Sequence, residues 1–434
     1  MAGFDVKFII IYFICPLTML FLQQESFAMP EQQMDERKLH LFIAGYLHKK
    51  FNQMIARRLS FLLFSAFLAA TACGQKSSKM DFEKYDPVST LKVPQHITTH
   101  AKFPFIDVHN HQWQVPSQDL SELYREMDSL NLKVMVNLSG KSYRETPGKA
   151  NGDFDVNDHA FLVKCIEKVQ QSGAKRLLFF TNISFVDFGK PGWIENAVAE
   201  LESDVKAGAC GLKIYKDLGM HFVDEKGKII HIDDPRLDAI WEKCGELNIP
   251  VLIHSADPKS FWDNEDEHNE RWLEIATHPD RKRSDNDPAP WDSLITAQHR
   301  VFKKHPHTKF IAAHFGWYAN DLSTLGKLLD DMPNVYTEFG AVIAELGRQP
   351  IAARNFFTKY QDRILFGKDS WVPEEYKTYF RVLETADEYF PYHKKYHAFW
   401  AMYGMSLPDD ILKKVYYKNA LRIIPGIDKT LFPQ

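Results

Sequence analysis

The chain has 434 residues, 45% hydrophobic and 25% charged, with a formal net charge of −4. That balance suits a globular protein of one large or two medium domains, and it lacks the basic excess of a nucleic-acid surface. Five cysteines stand apart without a Cys-x-x-Cys pair, so neither a zinc ribbon nor a thioredoxin-type centre is indicated, and Cys165, Cys210 and Cys244 read as small buried hydrophobes.

The first 73 residues hold two apolar segments. Residues 6–22, VKFIIIYFICPLTMLFL, are followed by a polar, charged stretch to about residue 53. The second segment starts at Met54 with the basic pair Arg57 and Arg58, continues as an apolar run from Leu59 to Ala69, and ends in ATAC at Cys73. This is the layout of a secretory signal peptide, and the run is short for a membrane span. ATAC is similar to a bacterial lipobox, whose cysteine carries lipid, and it also fits cleavage after Ala-x-Ala. Either reading exports the chain and makes Met54 the working start. The first gives a cell-envelope lipoprotein tethered to the membrane through lipidated Cys73. An N-terminal anchor at 6–22 is the alternative. Residues 74–101 are polar and aperiodic, as in a tether.

From residue 102 to 434, short apolar, β-branched runs alternate with helical stretches. Strands are expected at 103–109, 132–138, 177–183, 211–215, 249–254, 308–314, 334–338 and 363–368. Helices are expected at 118–131, 157–173, 193–208, 235–248, 290–305, 320–331 and 349–360, with Asn157, Asp234 before Pro235, and Asn320 as caps. Eight alternations predict an α/β fold, a (β/α)8 TIM barrel instead of an open sheet. The surplus over a bare barrel of about 250 residues falls in 255–289 and 370–415. These are long loops after strands five and eight, on the face where such barrels build active sites.

The first strand, FPFIDVHNHQW, ends in two histidines. Side chains two apart share a face of a strand. Asp107, His109 and His111 are therefore expected to point into the barrel, and Ile106 and Val108 toward the covering helices. A His-x-His pair is weak by itself, since chance supplies roughly one in a chain with 18 histidines. A second pair, His305 and His307 in KKHPHT, lies between helix and strand and reads as solvated surface. What distinguishes the first pair is its company. VLIH carries His254 to the end of strand five, FIAAH carries His314 to the end of strand six, and ILFGKD runs from strand eight into Asp369. Four histidines and an aspartate at the C-terminal strand ends of one barrel predict a shared metal site, where neutral imidazole suits zinc, iron or manganese. Asp107 either orients a ligand from behind or makes a buried structural hydrogen bond. Asn137, Asn182 and Glu338 also end strands and are candidate pocket groups. The aromatic segment 371–400, with Trp371, Tyr376, Tyr379, Tyr392 and Trp400, is either core or a cap over the site.

In order, DVHNH, GLKIY, VLIH, AAH, ILFGKD and VYYKNALRIIPG resemble the amidohydrolase superfamily over residues 102–428. Within it they look like the amidohydrolase-related branch that includes decarboxylases similar to aminocarboxymuconate semialdehyde decarboxylase. The resemblance implies one divalent metal on His109, His111, His254 and Asp369, zinc first and Mn2+ or Fe2+ as alternatives. Water at the open position would then ionise more easily. It also implies that Asp369 takes that water's proton, which frees His314 to polarise a substrate carbonyl or carboxylate. Lys213 is the fork. In binuclear members a carboxylated lysine on this strand bridges two metals, with His254 and His314 on the second ion. In mononuclear members a lysine here packs or contacts substrate, and the branch resembled is mononuclear. The chain departs from the family at Lys368, where members usually carry a small residue or threonine. Strand parity turns that lysine away from Asp369. The implied activity is metal-dependent hydrolysis of an amide, ester or lactone of a small molecule. Non-oxidative decarboxylation on the same ligands is the alternative. A binding lipoprotein on an inactive barrel is a third reading, which the unbroken ligand set speaks against. Substrate identity and oligomeric state leave no trace in the sequence.

Overall fold

The computed structural model describes residues 87–145 and 154–433, with a few isolated positions before residue 87. The segments at 6–22 and 54–73, and Cys73 with them, lie outside the described residues. Contacts divide the chain into two compact units at Tyr85/Asp86, and the second carries the fold. Among the described residues no helix is long and apolar enough to cross a membrane.

Eight parallel strands follow one another in chain order in a single sheet: β1 (Phe105–Asn110), β2 (Leu132–Asn137), β3 (Leu177–Thr181), β4 (Gly211–Ile214), β5 (Val251–Ile253), β6 (Phe310–Ala312), β7 (Val335–Glu338) and β8 (Ile364–Leu365). The first and last meet. Val108 N donates to Phe366 O at 2.9 Å and Asp369 N to His109 O at 2.7 Å, so the chain leaving β8 closes on β1. Every residue of β1, β4, β5 and β6 is buried. Strands covered by helices outside and by one another's side chains inside have no wet face, which is why they read as continuous apolar runs.

The expected helices form with slightly trimmed ends: α1 (Leu120–Ser129), α2 (His159–Gln171), α3 (Trp193–Ala207), α4 (Asp238–Glu246), α5 (Trp291–Lys304), α6 (Leu322–Asp331) and α7 (Pro350–Lys359). In α5, Trp291, Leu294, Ile295, Gln298, Val301 and Phe302 are buried, the three-and-four spacing of a helix laid on a sheet. Two caps move by one residue. Asp158 caps α2 by accepting from Phe161 N, and Asp321 caps α6 by accepting from Thr324 N. Each asparagine has a carboxylate next to it, and an anion suits a helix N-terminus better. Asp234 caps a single 3-10 turn, Pro235–Leu237, that leads into α4.

Further elements carry no strong periodicity. A small hairpin pairs Tyr143–Glu145 with Phe154–Val156 between β2 and α2. Short helices Trp272–Thr277 and Ile343–Arg348 follow β5 and β7, and α8 (Pro373–Glu384) follows β8. Tyr376 and Tyr379 of α8, with Tyr392 beyond it, are buried in the core, so most of the aromatic segment is packing. Cys165, Cys210 and Cys244 are buried free thiols. The pair in KKHPHT does not behave as uniform surface. His307 is exposed, but His305 is only 5% exposed, with Nε2 3.0 Å from Asp238 Oδ1. The turn after α5 folds that ring back against α4.

Candidate metal centre

The C-terminal ends of five strands deliver polar groups to one place. His109, within β1, sets Nδ1 2.8 Å from Glu338 Oε1 at the end of β7. His314, just past β6, sets Nδ1 2.7 Å from Gly340 O. A carbonyl and a carboxylate can only accept, so both Nδ1 atoms carry the proton and both Nε2 atoms present a lone pair. His109 Nε2 faces Asp369 Oδ1 at 3.2 Å, without hydrogen-bond geometry. His111 Nδ1 lies 2.6 Å from Ser139 Oγ, and its Nε2 is 3.6 Å from the same Asp369 oxygen. His254 follows β5, its backbone N donating to Ile214 O at 3.0 Å. Its ring meets that of His314 edge to face, with centroids 4.4 Å apart. Ligand atoms of His109, His314 and Asp369 all lie within 4.8 Å of one another.

The Nε2 atoms of His109, His254 and His314 are buried with no hydrogen-bond partner among the described residues. Buried polar atoms are nearly always satisfied. Orphaned nitrogens of His109 and His314 grouped with the Asp369 carboxylate, and that of His254 in a ring packed on His314, are donors a borderline divalent cation takes, so the residues present fit a metal. Burial pushes the imidazoles of His111, His254 and His314 below their usual range, which keeps them in the neutral, ligating form. Burial is the largest influence on His109 too and works the same way, but the Glu338 and Asp369 carboxylates together more than offset it and raise that imidazole.

Glu338 is the hub of this arrangement. Its Oε1 accepts from His109 Nδ1 and from His314 N, each at 2.8 Å, and its Oε2 accepts from Gly340 N at 2.6 Å. Burial alone would raise its carboxyl, yet His109 and these donors hold it at about 2. Gly367 makes room for it, since a Cβ there would meet Glu338 Oε2 at 2.2 Å and His109 Cβ at 3.0 Å. The sequence marked Glu338 only as a strand-ending pocket candidate, and its place at the end of VYTE is the signal that pointed to it. Ser139 and Gly340, which fix His111 and His314, carry no such signal.

Asp107 does not reach an imidazole. Its carboxylate accepts from the backbone N of His109 (3.0 Å) and of Lys368 (3.1 Å), from Asn110 Nδ2 (3.0 Å) and from Tyr376 OH of α8 (2.5 Å). It pins β1 to the chain after β8, and burial raises its carboxyl to about 6. The register of β1 on β2 shifts between Asp107 and Asn110, which breaks the simple alternation expected there. Asn137 and Asn182 likewise hold loops, accepting from the backbone N of Gln112 and of Lys141.

Lys213 on β4 is buried, and its Nζ has no hydrogen-bond partner among the described residues. It lies 5.6 Å from the Tyr215 ring centroid. Burial lowers its ammonium to about 8 against the pull of Asp369 and Glu338. The Lys368 ammonium pairs with Glu375 of α8.

Two cavities flank these groups. One of about 710 Å³ is lined by His111, Trp113, Asp369 and Trp371, and opens the site to solvent. A larger one, about 900 Å³, is lined largely by the loop after β5 and includes Trp317, which stacks on His314 with centroids 4.5 Å apart.

A family model described as amidohydrolase matches residues 106–426. No curated protein matches the chain significantly. Similar solved structures include an uncharacterised TIM-barrel protein, Bb4693, from Bordetella bronchiseptica, with 14% identity over 74% of this chain and 97% of that one and a TM-score of 0.45. A dihydroxybenzoic acid decarboxylase from Polaromonas sp. JS666, with manganese and the inhibitor 2-nitroresorcinol bound, has 14% identity over 74% and 96% and a TM-score of 0.46. A 4-oxalomesaconate hydratase from Rhodopseudomonas palustris has 15% identity over 74% and 95% and a TM-score of 0.42.

Proposed function

The chain belongs to the amidohydrolase family, and we propose that it is a metal-dependent hydrolase acting on an amide, ester or lactone of a small molecule. The observation that carries this reading is the meeting of imidazole nitrogens of His109, His111 and His314 at the Asp369 carboxylate, which also faces a cavity, with the orphaned Nε2 of His254 in a ring packed on His314. His109, His111, His254 and Asp369 are the proposed ligands of one divalent ion, zinc first, which when bound would supply the charge that acidifies water and polarises a substrate oxygen.

The remaining work falls to the chain itself. The Asp369 side chain is 35% exposed while touching two imidazoles, so it can take a proton from water entering by the 710 Å³ cavity. His314 has Nδ1 committed to Gly340 O, its Nε2 is buried without a partner among the described residues, and its ring brings a ligand atom within 4.8 Å of an Asp369 oxygen. The proton that Asp369 takes from water would pass to that Nε2, which then donates it to the substrate oxygen on which negative charge develops. The test is elemental analysis of the purified protein with a panel of amides, esters, lactones and aromatic or unsaturated acids. His314→Asn decides that residue's role. Metal content stays if His314 serves the substrate and falls if it is a ligand.

Lys213 favours decarboxylation as a second reading. A buried ammonium without a partner complements a substrate carboxylate, and such a group is costly to hold empty. Carbon dioxide release from an acid in the panel, with no hydrolysis of its esters or amides, would select it.

A further inference from the structure

We propose that Lys368 is a positioning residue that holds Asp369 in place for the metal, which rests on the reading of Asp369 as a ligand. Asp369 has a φ of +85°, a left-handed conformation that a residue with a Cβ keeps only when its surroundings impose it. The restraints lie on both sides of it. Before it, Lys368 N donates to Asp107 Oδ1 at 3.1 Å, and Asp369 N itself donates to His109 O at 2.7 Å. After it, the Lys368 side chain folds over Ser370. Its ammonium donates to Ser370 O (3.1 Å), to Ser370 Oγ (3.0 Å) and to Glu375 Oε2 on α8 (2.5 Å).

Those three bonds use all the donors of an ammonium. The group is 1% exposed, with the Tyr376 and Tyr379 ring centroids 5.6 and 5.9 Å away. An amine buried among aromatic rings is expensive unless it is fully paired, so its placement is specific. With its three donors engaged and the group buried, it has none left to offer a substrate. What it does is tie residue 370 to α8, and Asp369 is then fixed between a strand and a helix. A side chain too short to reach Ser370 and Glu375 together would leave the far side of Asp369 untethered.

Lys368→Met keeps the length and removes the donors. The Zn2+ dissociation constant of the apoprotein, measured against a chromophoric chelator, is expected to rise about 10- to 100-fold, the usual loss for a group behind a ligand. Arg271→Met removes an equally buried cation that pairs with Glu274 and Glu345. It should lower the unfolding temperature and leave the Zn2+ constant unchanged. Wild-type affinity in Lys368→Met overturns the proposal, and so does an equal loss in both variants. If Lys368→Met does not fold, Ser370→Ala removes one acceptor, the Oγ of a half-buried residue, and should weaken Zn2+ binding about threefold or more; unchanged affinity again overturns the idea. Asp369→Ala separates this claim from its premise. If that variant binds Zn2+ normally, the reading of Asp369 as a ligand fails. If it loses Zn2+ while Lys368→Met does not, the positioning role alone falls.

Discussion

Two tasks are proposed for Asp369, and a single substitution can pull them apart. As an acceptor beside His109 and His111 it needs an oxygen; as a base it needs a charge. Asp369→Asn keeps the size and one oxygen and removes the charge. Turnover should fall by about 10²-fold or more while much of the metal stays, read by kcat alongside elemental analysis. Full activity in that variant, on any accepted substrate, rules the mechanism out. Glu338 is tested differently, because three N–H donors converge on it. The amide of Glu338→Gln has one oxygen for those donors and must turn its own N–H2 toward one of them. Metal affinity should drop about 10- to 100-fold with the barrel still folded, measured by chelator competition; wild-type affinity would show that His109 is held by other means. His305 supplies the contrast. Its bond to Asp238 lies on the outer layer, so His305→Asn should affect neither metal content nor turnover.

The strand positions of the barrel were legible because both faces of most strands are buried and apolar runs follow from that. Their ends were less so. The expected strand 363–368 shrinks to Ile364–Leu365, since Gly367 lets the chain press against Glu338 and the backbone then bends to reach β1. The turn from His314 to Trp317 runs through positive φ angles at every residue. Only Gly316 in AHFGW hints at that, so a sequence reading aims the ring of His314 without its backbone. The loops after β5 and β8 were placed by length alone, and what ties them down was not visible. Arg271 bonds Glu274 and Glu345 in a buried network, and Arg281 adds a second bond to Glu274 at 2.6 Å. The guanidinium of Arg348 lies 4.0 Å from the Trp400 ring centroid. Removing one partner of a buried ion pair strands the others, at a cost of about 3–5 kcal/mol. Arg271→Met should lower stability to that extent by chemical denaturation. A loss within experimental error would mean that water replaces the guanidinium and that the loops are held by packing.

At the scale of the whole chain, export is argued from the sequence of residues 54–73. We propose that the mature protein begins at lipidated Cys73, which intact-mass analysis of bacterially made protein decides; a product retaining residues 1–72 refutes it. The metal reaches across the molecule in another sense. Its proposed ligands come from the ends of β1, β5 and β8, which the unfolded chain does not hold together, so the ion binds the folded state and stabilises it by mass action. At a free-ion concentration about 100 times the dissociation constant, the gain is about 2.7 kcal/mol. At roughly 2–4 °C per kcal/mol for a domain approaching this size, stripping with a chelator should lower the unfolding temperature by about 5–10 °C, and Zn2+ should restore it. The stoichiometry tests the ligand set in the same sample. One ion per chain, retained in Lys213→Met, agrees with a mononuclear centre. Two ions, a mass gain on Lys213 matching a carboxyl group, and loss of metal in Lys213→Met would replace it with a bridged pair in which His254 and His314 hold the second ion.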